Sequence, residues 1–143
     1  MLCGKINLNK NMDCIFCKIV RGEIPCAKVY EDNEVLAFLD INPVNPGHTL
    51  VITKEHFTNI TDTPEEKLNT IMSAVKKLSG KIMTAVGASA FNLGVNNGEV
   101  AGQIVPHVHF HIMPRKENDG KKLWHGTPYR EGEMEEIKNK ILS

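Results

Sequence analysis

The chain has 143 residues, of which 41% are hydrophobic, and this length is enough for one globular domain with its own core but not for two. Lys and Arg number 17, and Asp and Glu also number 17, so the formal net charge is zero. No basic excess points to a nucleic acid polymer, and no apolar run is long enough to span a membrane.

The N-terminal residues and the cysteines indicate the compartment. Residues 1–12 contain no apolar stretch of signal-peptide length, so we expect a cytoplasmic protein. Cysteines in that reducing compartment do not normally form a disulfide framework, so Cys3 and Cys26 are interpreted as free thiols. The close pair Cys14 and Cys17 suggests metal or redox chemistry instead.

The first third of the chain predicts a short helix followed by strands. A helix capped by Asp13 and running to Val20 places Cys14 and Cys17 within about one turn of each other. Turn residues then separate three predicted strands, at 27–30, 35–40 and 49–53.

One long helix is the clearest local prediction. Thr63 is the expected N-cap, Pro64 the first helical residue and Glu66 the capping-box carboxylate, and the helix is expected to run to about Val86. Its apolar residues recur at three- and four-residue steps and predict a stripe that packs on a sheet. The stripe comprises Leu68, Ile71, Met72, Val75, Leu78, Ile82, Met83 and Val86.

Two further segments alternate apolar with small or polar residues and are predicted to be antiparallel strands, at 91–96 and 105–113. Residues 131–142 have apolar side chains at helical spacing and predict a terminal helix. The predicted fold is therefore α+β, with a mostly antiparallel sheet, one long packed helix and a short N-terminal helix.

Three alternating histidines carry the strongest chemical signal. On a strand, the side chains of His107, His109 and His111 share one face while the apolar residues between them share the other. A neutral imidazole is a good nucleophile near pH 7, and its neighbours can donate hydrogen bonds to a phosphate oxygen. The spacing alone is also consistent with a metal site on a sheet or with purely structural histidines.

The segment from His107 to Met113 resembles the alternating motif of the histidine triad family, and the resemblance extends over most of the chain. The segments at 14–25, 36–43, 46–52 and 96–103 are similar, in order and spacing, to the Hint-like branch of that family. By this resemblance residues 13–115 form the histidine triad domain, 1–12 an N-terminal extension and 116–143 a C-terminal tail with a short helix.

The resemblance implies a nucleoside phosphoramidase or related hydrolase in which His109 forms a nucleotidyl-imidazole intermediate. His111 would bind the α-phosphate, His107 and His48 would complete the catalytic set, and Asp40 would hold the ribose hydroxyls. His48 could equally be an ordinary residue at the end of a strand. The other positions that the resemblance assigns to the nucleotide are Ile15, Phe16, Ile19, Phe38, Leu39, Ile41, Asn96, Gln103 and Ile104.

Ile104 departs from the family pattern. Relatives often have Ser or Thr directly after the glutamine that Gln103 matches, so the hydroxyl that would contact the phosphate or leaving group is missing here. Only the backbone N–H of Ile104 can serve, which puts the leaving-group preference in question.

The resemblance also implies a structural zinc site. Cys14 and Cys17 supply two soft ligands, and the zinc-containing relatives add the histidines that match His56 and His107. The alternative is that the two cysteines are buried thiols beside an empty site.

Three functional classes follow from these patterns. The first is hydrolysis of purine nucleotide conjugates of AMP or GMP; the second is diadenosine polyphosphate hydrolysis or nucleotidyl transfer; the third is a nucleotide-binding adaptor. By resemblance we also expect a homodimer that pairs through the long helix and an edge strand.

Overall fold

A computed structural model describes residues 13–143, so the predicted extension at 1–12, with Cys3, lies outside the described residues. Within that range five strands form one antiparallel sheet, in the order β1-β2-β3-β5-β4. The strands are β1 (Lys28–Glu31), β2 (Val35–Leu39), β3 (Thr49–Thr53), β4 (Ala90–Val95) and β5 (His109–Arg115). The helices are α1 (Ile15–Val20), α2 (Glu65–Val86) and α3 (Glu133–Leu142), with a 3₁₀ turn at Glu99–Ala101.

The long helix α2 covers one face of the sheet. Its buried residues interlock with Val35, Val51, Phe110 and Ile112 of the strands to form the larger core. Alternation along each strand sends the neighbouring residues to the opposite face, where α1 packs. This second, smaller core comprises Cys14, Phe16, Cys17, Leu36, Phe38, Leu50 and Ile52. The predicted α+β architecture is confirmed.

The buried face of α2 differs from the predicted stripe at Met72, Ala74 and Ser79. Met72 is 43% exposed, whereas Ala74 and Ser79 are buried. The six buried positions of α2 centre on the row through Ile71, Val75, Leu78 and Ile82, and Met72 lies about 100° around the helix from Ile71. Small side chains at 74 and 79 let the helix approach the sheet closely.

The N-terminal caps also differ from the predictions. Cys14, not Asp13, is the N-cap of α1, and Pro64, not Thr63, is the N-cap of α2; neither makes a side-chain cap hydrogen bond. The Thr63 hydroxyl donates instead to the carbonyl of Asn59 at 2.7 Å. The Thr63 hydroxyl therefore holds the preceding loop instead of capping the helix.

The predicted terminal helix is present as α3, and none of its residues is buried. Across residues 13–143, no helix combines the length and apolar character that crossing a membrane requires.

Candidate active site and metal centre

Strand β5 brings His109 and His111 to the face of the sheet that α1 covers. His109 pairs with Ile52 of β3 and His111 pairs with Leu50, and both partners belong to the smaller core. The two imidazole centroids are 4.9 Å apart. The alternation of these two histidines is therefore confirmed.

The strand does not extend back to Val105, so the prediction of three histidines on one strand is wrong for His107. Pro106 lacks the N–H that a ladder requires, and residues 105–107 form a bend instead. The N–H of His107 donates to Val105 at 2.8 Å. Phe16 of α1 nevertheless makes edge contacts with both His107 and His109, with ring centroids 5.9 and 5.1 Å away.

The side chain of His107 faces a cluster of cysteine and histidine residues. Its Nε2–H donates to the carbonyl of Thr53 at 2.7 Å, so Nδ1 presents a lone pair. That lone pair points to the Sγ atoms of Cys14 and Cys17, each at 3.6 Å, and to Nδ1 of His56 at 3.2 Å. Four side chains thus converge, and their ligand atoms all lie within 4.8 Å of one another.

The spacing of this Cys/His cluster fits a tetrahedral metal. With Zn–S at about 2.3 Å and Zn–N at about 2.0–2.1 Å, tetrahedral angles place S and N about 3.6 Å apart and two nitrogens about 3.3 Å apart. The observed S-to-N distances are 3.3 to 3.6 Å, and the N-to-N distance is 3.2 Å. Four of the six distances between the ligand atoms therefore match a tetrahedral metal site, and the other two are at most 4.8 Å.

Burial keeps Cys17 and His107 uncharged in the unliganded cluster. Burial, reinforced by the neighbouring Cys14, raises the pKa of the Cys17 thiol to about 12. Burial likewise lowers the pKa of His107 to about 4. A divalent ion must consequently displace thiol protons here, while it meets an imidazole that is already neutral at pH 7.

The orientation of His109 leaves one nitrogen free to react. Its Nδ1–H donates to the backbone carbonyl of His107 at 2.7 Å, and since a carbonyl only accepts, Nε2 carries a lone pair. The side chain is only 6% exposed. Within residues 13–143, Nε2 of His109 has no hydrogen-bond partner, yet it is not among the buried atoms sealed from solvent.

His48 fixes the proton on His111. The N–H of Val44 donates to Nδ1 of His48 at 3.0 Å, so the proton of His48 is on Nε2 and donates to Nδ1 of His111 at 2.9 Å. His111 must then carry its own proton on Nε2. Among the described residues this Nε2 is the buried side-chain atom that lacks a partner. A buried N–H donor without an acceptor is typical of a site that receives an oxygen from a ligand.

Asp40 lies beside this pair. Its Oδ2 is 3.7 Å from Nε2 of His48, and the ligand atoms of Asp40, His48 and His111 lie within 4.8 Å of one another. A metal would need the lone pair on Nε2 of His48, but the bond from Val44 already takes the Nδ1 lone pair and leaves the proton on Nε2. These three residues therefore form a hydrogen-bonding group rather than a metal site.

The imidazoles of His48, His109 and His111 are neutral at pH 7. Burial lowers the pKa of His111 to about 4, helped by the adjacent His109 and His48. Burial also lowers the pKa values of His109 and His48, and the Asp40 carboxylate partly offsets this in both cases. Neutral rings suit a nucleophile and a hydrogen-bond donor.

The loop after β4 carries the residues predicted to contact the phosphate, Asn96, Gln103 and Ile104, and their side chains differ in how far other hydrogen bonds occupy them. The Gln103 side chain accepts from the N–H of Gly98 at 2.8 Å and donates to the carbonyls of Thr58 and Val105. Its amide is committed to holding the loop in shape. The Asn96 amide makes one long bond of 3.4 Å to Gly102 and is available, and Ile104 is 92% exposed.

The predicted base-pocket residues divide into two groups. Phe16 and Phe38 are buried in the smaller core, and Ile19 packs against it. The exposed apolar residues are Ile15, Leu39 and Ile41, of which the last two flank Asp40.

Two of the groups that orient the histidines were not expected from the sequence. The carbonyl of Thr53 fixes His107, and the N–H of Val44 fixes His48. Both are backbone atoms, which any residue type carries, so no sequence signal could have identified them. The turn predicted between the strands at 35–40 and 49–53 located Val44 only approximately.

Comparisons with known proteins agree with this geometry. The model of the HIT domain family matches residues 21–118. An adenosine 5′-monophosphoramidase of Schizosaccharomyces pombe is 46% identical over 127 residues, covering 89% of this chain and 92% of that protein. An adenylylsulfatase of Arabidopsis thaliana is 50% identical over 107 residues, which are 75% of this chain and 54% of the plant protein.

A solved structure of similar fold contains zinc. The crystal structure of a zinc-bound histidine triad family protein from Mycobacterium smegmatis aligns with a TM-score of 0.74 and 34% identity, covering 92% of this chain and 95% of that one. The family model spans well over half of the chain, and its namesake histidines form the site described above. The protein therefore belongs to the HIT, or histidine triad, domain family.

Proposed function

We propose that this protein hydrolyses nucleotide conjugates, and in particular purine nucleoside 5′-phosphoramidates, at the α-phosphate. The observation that carries the proposal is the pair of fixed tautomers: His109 offers a lone pair on Nε2, and His111 offers an N–H on Nε2. One nucleophile and one donor thus stand side by side, with ring centroids 4.9 Å apart. Nucleotide-hydrolase names among the relatives support the same class.

In the proposed reaction the Nε2 lone pair of His109 forms a bond to phosphorus as the bond from phosphorus to the leaving group breaks. The leaving amine departs with a proton from solvent. The imidazolium product keeps its Nδ1–H on the carbonyl of His107. The Nε2–H of His111 donates to a phosphate oxygen on which charge develops. Water then attacks phosphorus, releases the nucleoside monophosphate and restores neutral His109.

We further propose that the nucleoside lies towards the β2 side of this site. Asp40 would accept from the ribose hydroxyls, and the exposed apolar side chain of Ile41 beside it would contact the base. Leu39 is not part of this contact, because alternation along β2 places it on the α2 face with Val35 and Ala37. The available amide of Asn96 and the N–H of Ile104 would approach the phosphate.

The test is hydrolysis of adenosine 5′-phosphoramidate by purified protein. We expect His109→Ala to lose at least about 10³-fold in kcat because the nucleophile is gone. His125→Ala, which changes an exposed histidine of the tail, is the matched control and should retain full activity. Mass spectrometry after a rapid alkaline quench, which preserves a phosphorus–imidazole bond, should show a nucleotidyl adduct on wild-type protein only. A fully active His109→Ala protein would disprove the mechanism.

We propose that the Cys/His cluster holds a structural zinc ion. Cys14, Cys17, His56 and His107 would be the ligands, and the ion would stabilise the segment that carries the carbonyl for His109. We expect about one zinc per chain by elemental analysis, and Cys14→Ser should lose both the metal and thermal stability. Cys26→Ser is the control, since Cys26 is a free thiol outside the cluster. A metal-free wild-type protein as stable as the zinc-loaded one would contradict this.

We also propose a homodimer, as the resemblance implies. β4 is an edge strand of the sheet. Two apolar side chains that such a dimer would cover are exposed: Leu93 on β4 is 37% exposed and Met72 on α2 is 43% exposed. Light scattering after size exclusion should give twice the chain mass, and a monomer would refute the proposal.

A further inference from the structure

A cleft of about 240 Å³ lies at the end of the histidine row, and the proposed reaction does not use it. Asn92 and Met113 line it and pair with each other across β4 and β5. Met113 follows His111 on the same face of the strand, roughly 7 Å further along. Val44, whose N–H holds His48, lines it too. The cleft therefore adjoins the imidazole pair of the active site.

The C-terminal tail forms one wall of this cleft and is fixed to the sheet. Arg115 makes a salt bridge to Asp119 at 2.7 Å and donates to the carbonyl of Lys121 at 3.0 Å. Asn45 donates to Asp119 at 3.0 Å. Arg115 also donates to Asn92 at 2.8 Å. These bonds hold the start of the segment 121–124 against β4 and β5.

The cleft has a net positive charge and an apolar body. Asp119 compensates Arg115, but among residues 13–143 no carboxylate makes a salt bridge with Lys121 or Lys122. Both lysines line the cleft together with Leu123 and Trp124, and the indole is 82% exposed. Uncompensated lysines beside an exposed indole favour a ligand that combines an aromatic or aliphatic body with a negative charge.

The cleft is separate from the proposed base-binding side of the sheet. Asp40 and Ile41 lie at the end of β2, whereas the cleft lies on β4 and β5. From β2 to β4 there are three strand spacings, or about 14 Å. On β4, Gly94 pairs with His111 and presents no side chain beside the phosphate position. The nearest side-chain atom to this space is Cε of Met113, 3.4 Å from where a Cβ would be. A substrate bound by its base on β2 would direct its other end towards the cleft.

We infer that this cleft binds the leaving group of the substrate and favours one with an apolar or aromatic body and a carboxylate or other anionic group. The inference rests on the proposed function and adds the chemical class of the conjugate. Lys121 and Lys122 would be specificity residues, since they would contact the leaving group and not the reacting atoms. The reaction itself is unchanged: the bond from phosphorus to nitrogen breaks as His109 attacks.

The experiment compares two adenosine 5′-phosphoramidates that differ by one carboxylate, made from phenethylamine and from phenylalanine. The two amines differ in basicity, so the measured quantity is the ratio of their kcat/KM values and its change between proteins. In the double variant Lys121→Gln/Lys122→Gln we expect the preference for the carboxylate to fall roughly 3- to 10-fold relative to wild type. In wild type the preference should also shrink in 0.5 M KCl, since salt screens exposed charges.

The matched control is Lys76→Gln/Lys77→Gln. It removes two exposed lysines from α2, on the opposite face of the sheet, and should leave the ratio as in wild type. If all three proteins hydrolyse both compounds with the same ratio, the inference is wrong and the proposed function stands. If wild type hydrolyses neither compound nor adenosine 5′-phosphoramidate, the proposed function fails and the inference falls with it.

Discussion

Replacing His48 by Phe tests the proton arrangement on which the proposed chemistry depends. Phenylalanine fills a similar volume but removes the N–H that donates to Nδ1 of His111 at 2.9 Å. It also removes the lone pair that accepts from Val44 at 3.0 Å. His111 would then be free to move its proton to Nδ1 and lose the donor that faces the phosphate.

The magnitude follows from the two lost bonds. Each lost bond leaves a polar group without a partner, which lowers the free energy of unfolding by about 1–3 kcal/mol. The more apolar phenyl ring offsets part of this loss. A net loss of about 2–4 kcal/mol corresponds, at 2–4 °C per kcal/mol, to a Tm lower by roughly 5–15 °C. The misplaced donor should lower kcat by about 10- to 100-fold, with a smaller change in KM.

Three measurements check this prediction. Nitrogen chemical shifts of the labelled imidazoles report the tautomer of His111, scanning calorimetry gives Tm, and steady-state kinetics gives kcat. His48→Gln is the matched variant, because its amide can supply a donor near the position of Nε2, and it should recover part of kcat and the tautomer. If His48→Phe kept the Nε2–H tautomer of His111 and the wild-type kcat, the reasoning would be refuted.

Three further predictions concern stability. Gly47 has φ +95°, and an added Cβ would lie 2.8 Å from Cγ1 of Val86, so Gly47→Ala should lower the free energy of unfolding in urea by about 2–3 kcal/mol. The control Gly80→Ala, in open space on α2, should be neutral or stabilising. Equal effects of the two substitutions would contradict the packing. Ile71→Ala leaves a cavity at a fully buried core position and should lower the free energy of unfolding by about 2–5 kcal/mol, while the metal content stays unchanged. A loss below about 1 kcal/mol would contradict this prediction. The pKa of His111 falls from 6.5 in the unfolded state to about 4 in the folded state, so the unfolded state binds the proton first as the pH falls. The contribution of His111 to the free energy of unfolding is therefore full above pH 6.5 and declines as the pH falls towards 4. His111→Asn should flatten this decline, and an identical pH profile would exclude His111 as its source.

The sequence predicted the elements well where its periodicity was strong. The spacing from Ile71 to Ile82 located the buried face of α2, and alternation placed His109 and His111 on one face of β5. The strand boundary failed at Pro106, where the missing N–H ends the ladder. Apolar alternation is insensitive to that loss, since Val105 still fits the pattern.

The candidate site was only partly predictable. The resemblance supplied the four ligands of the Cys/His cluster, and the structure brings all four together. It also assigned Gln103 to the phosphate, but the side chain makes two hydrogen bonds within its own loop and a third to the carbonyl of Thr58, 45 positions away in the chain. Hydrogen-bond partners depend on tertiary contacts between residues distant in sequence, and spacing along the chain does not encode them.

The reach of the Cys/His cluster along the chain has a consequence for folding. Cys14 and His107 are separated by 93 positions, so an ion bound by both would close most of the domain into a ring. In the chain-entropy description a cross-link of that length disfavours the unfolded ensemble by about 4–5 kcal/mol. Such a ring opens by chelation rather than by reduction, so the metal supply, and not the redox potential, would set how long a newly made chain stays folded.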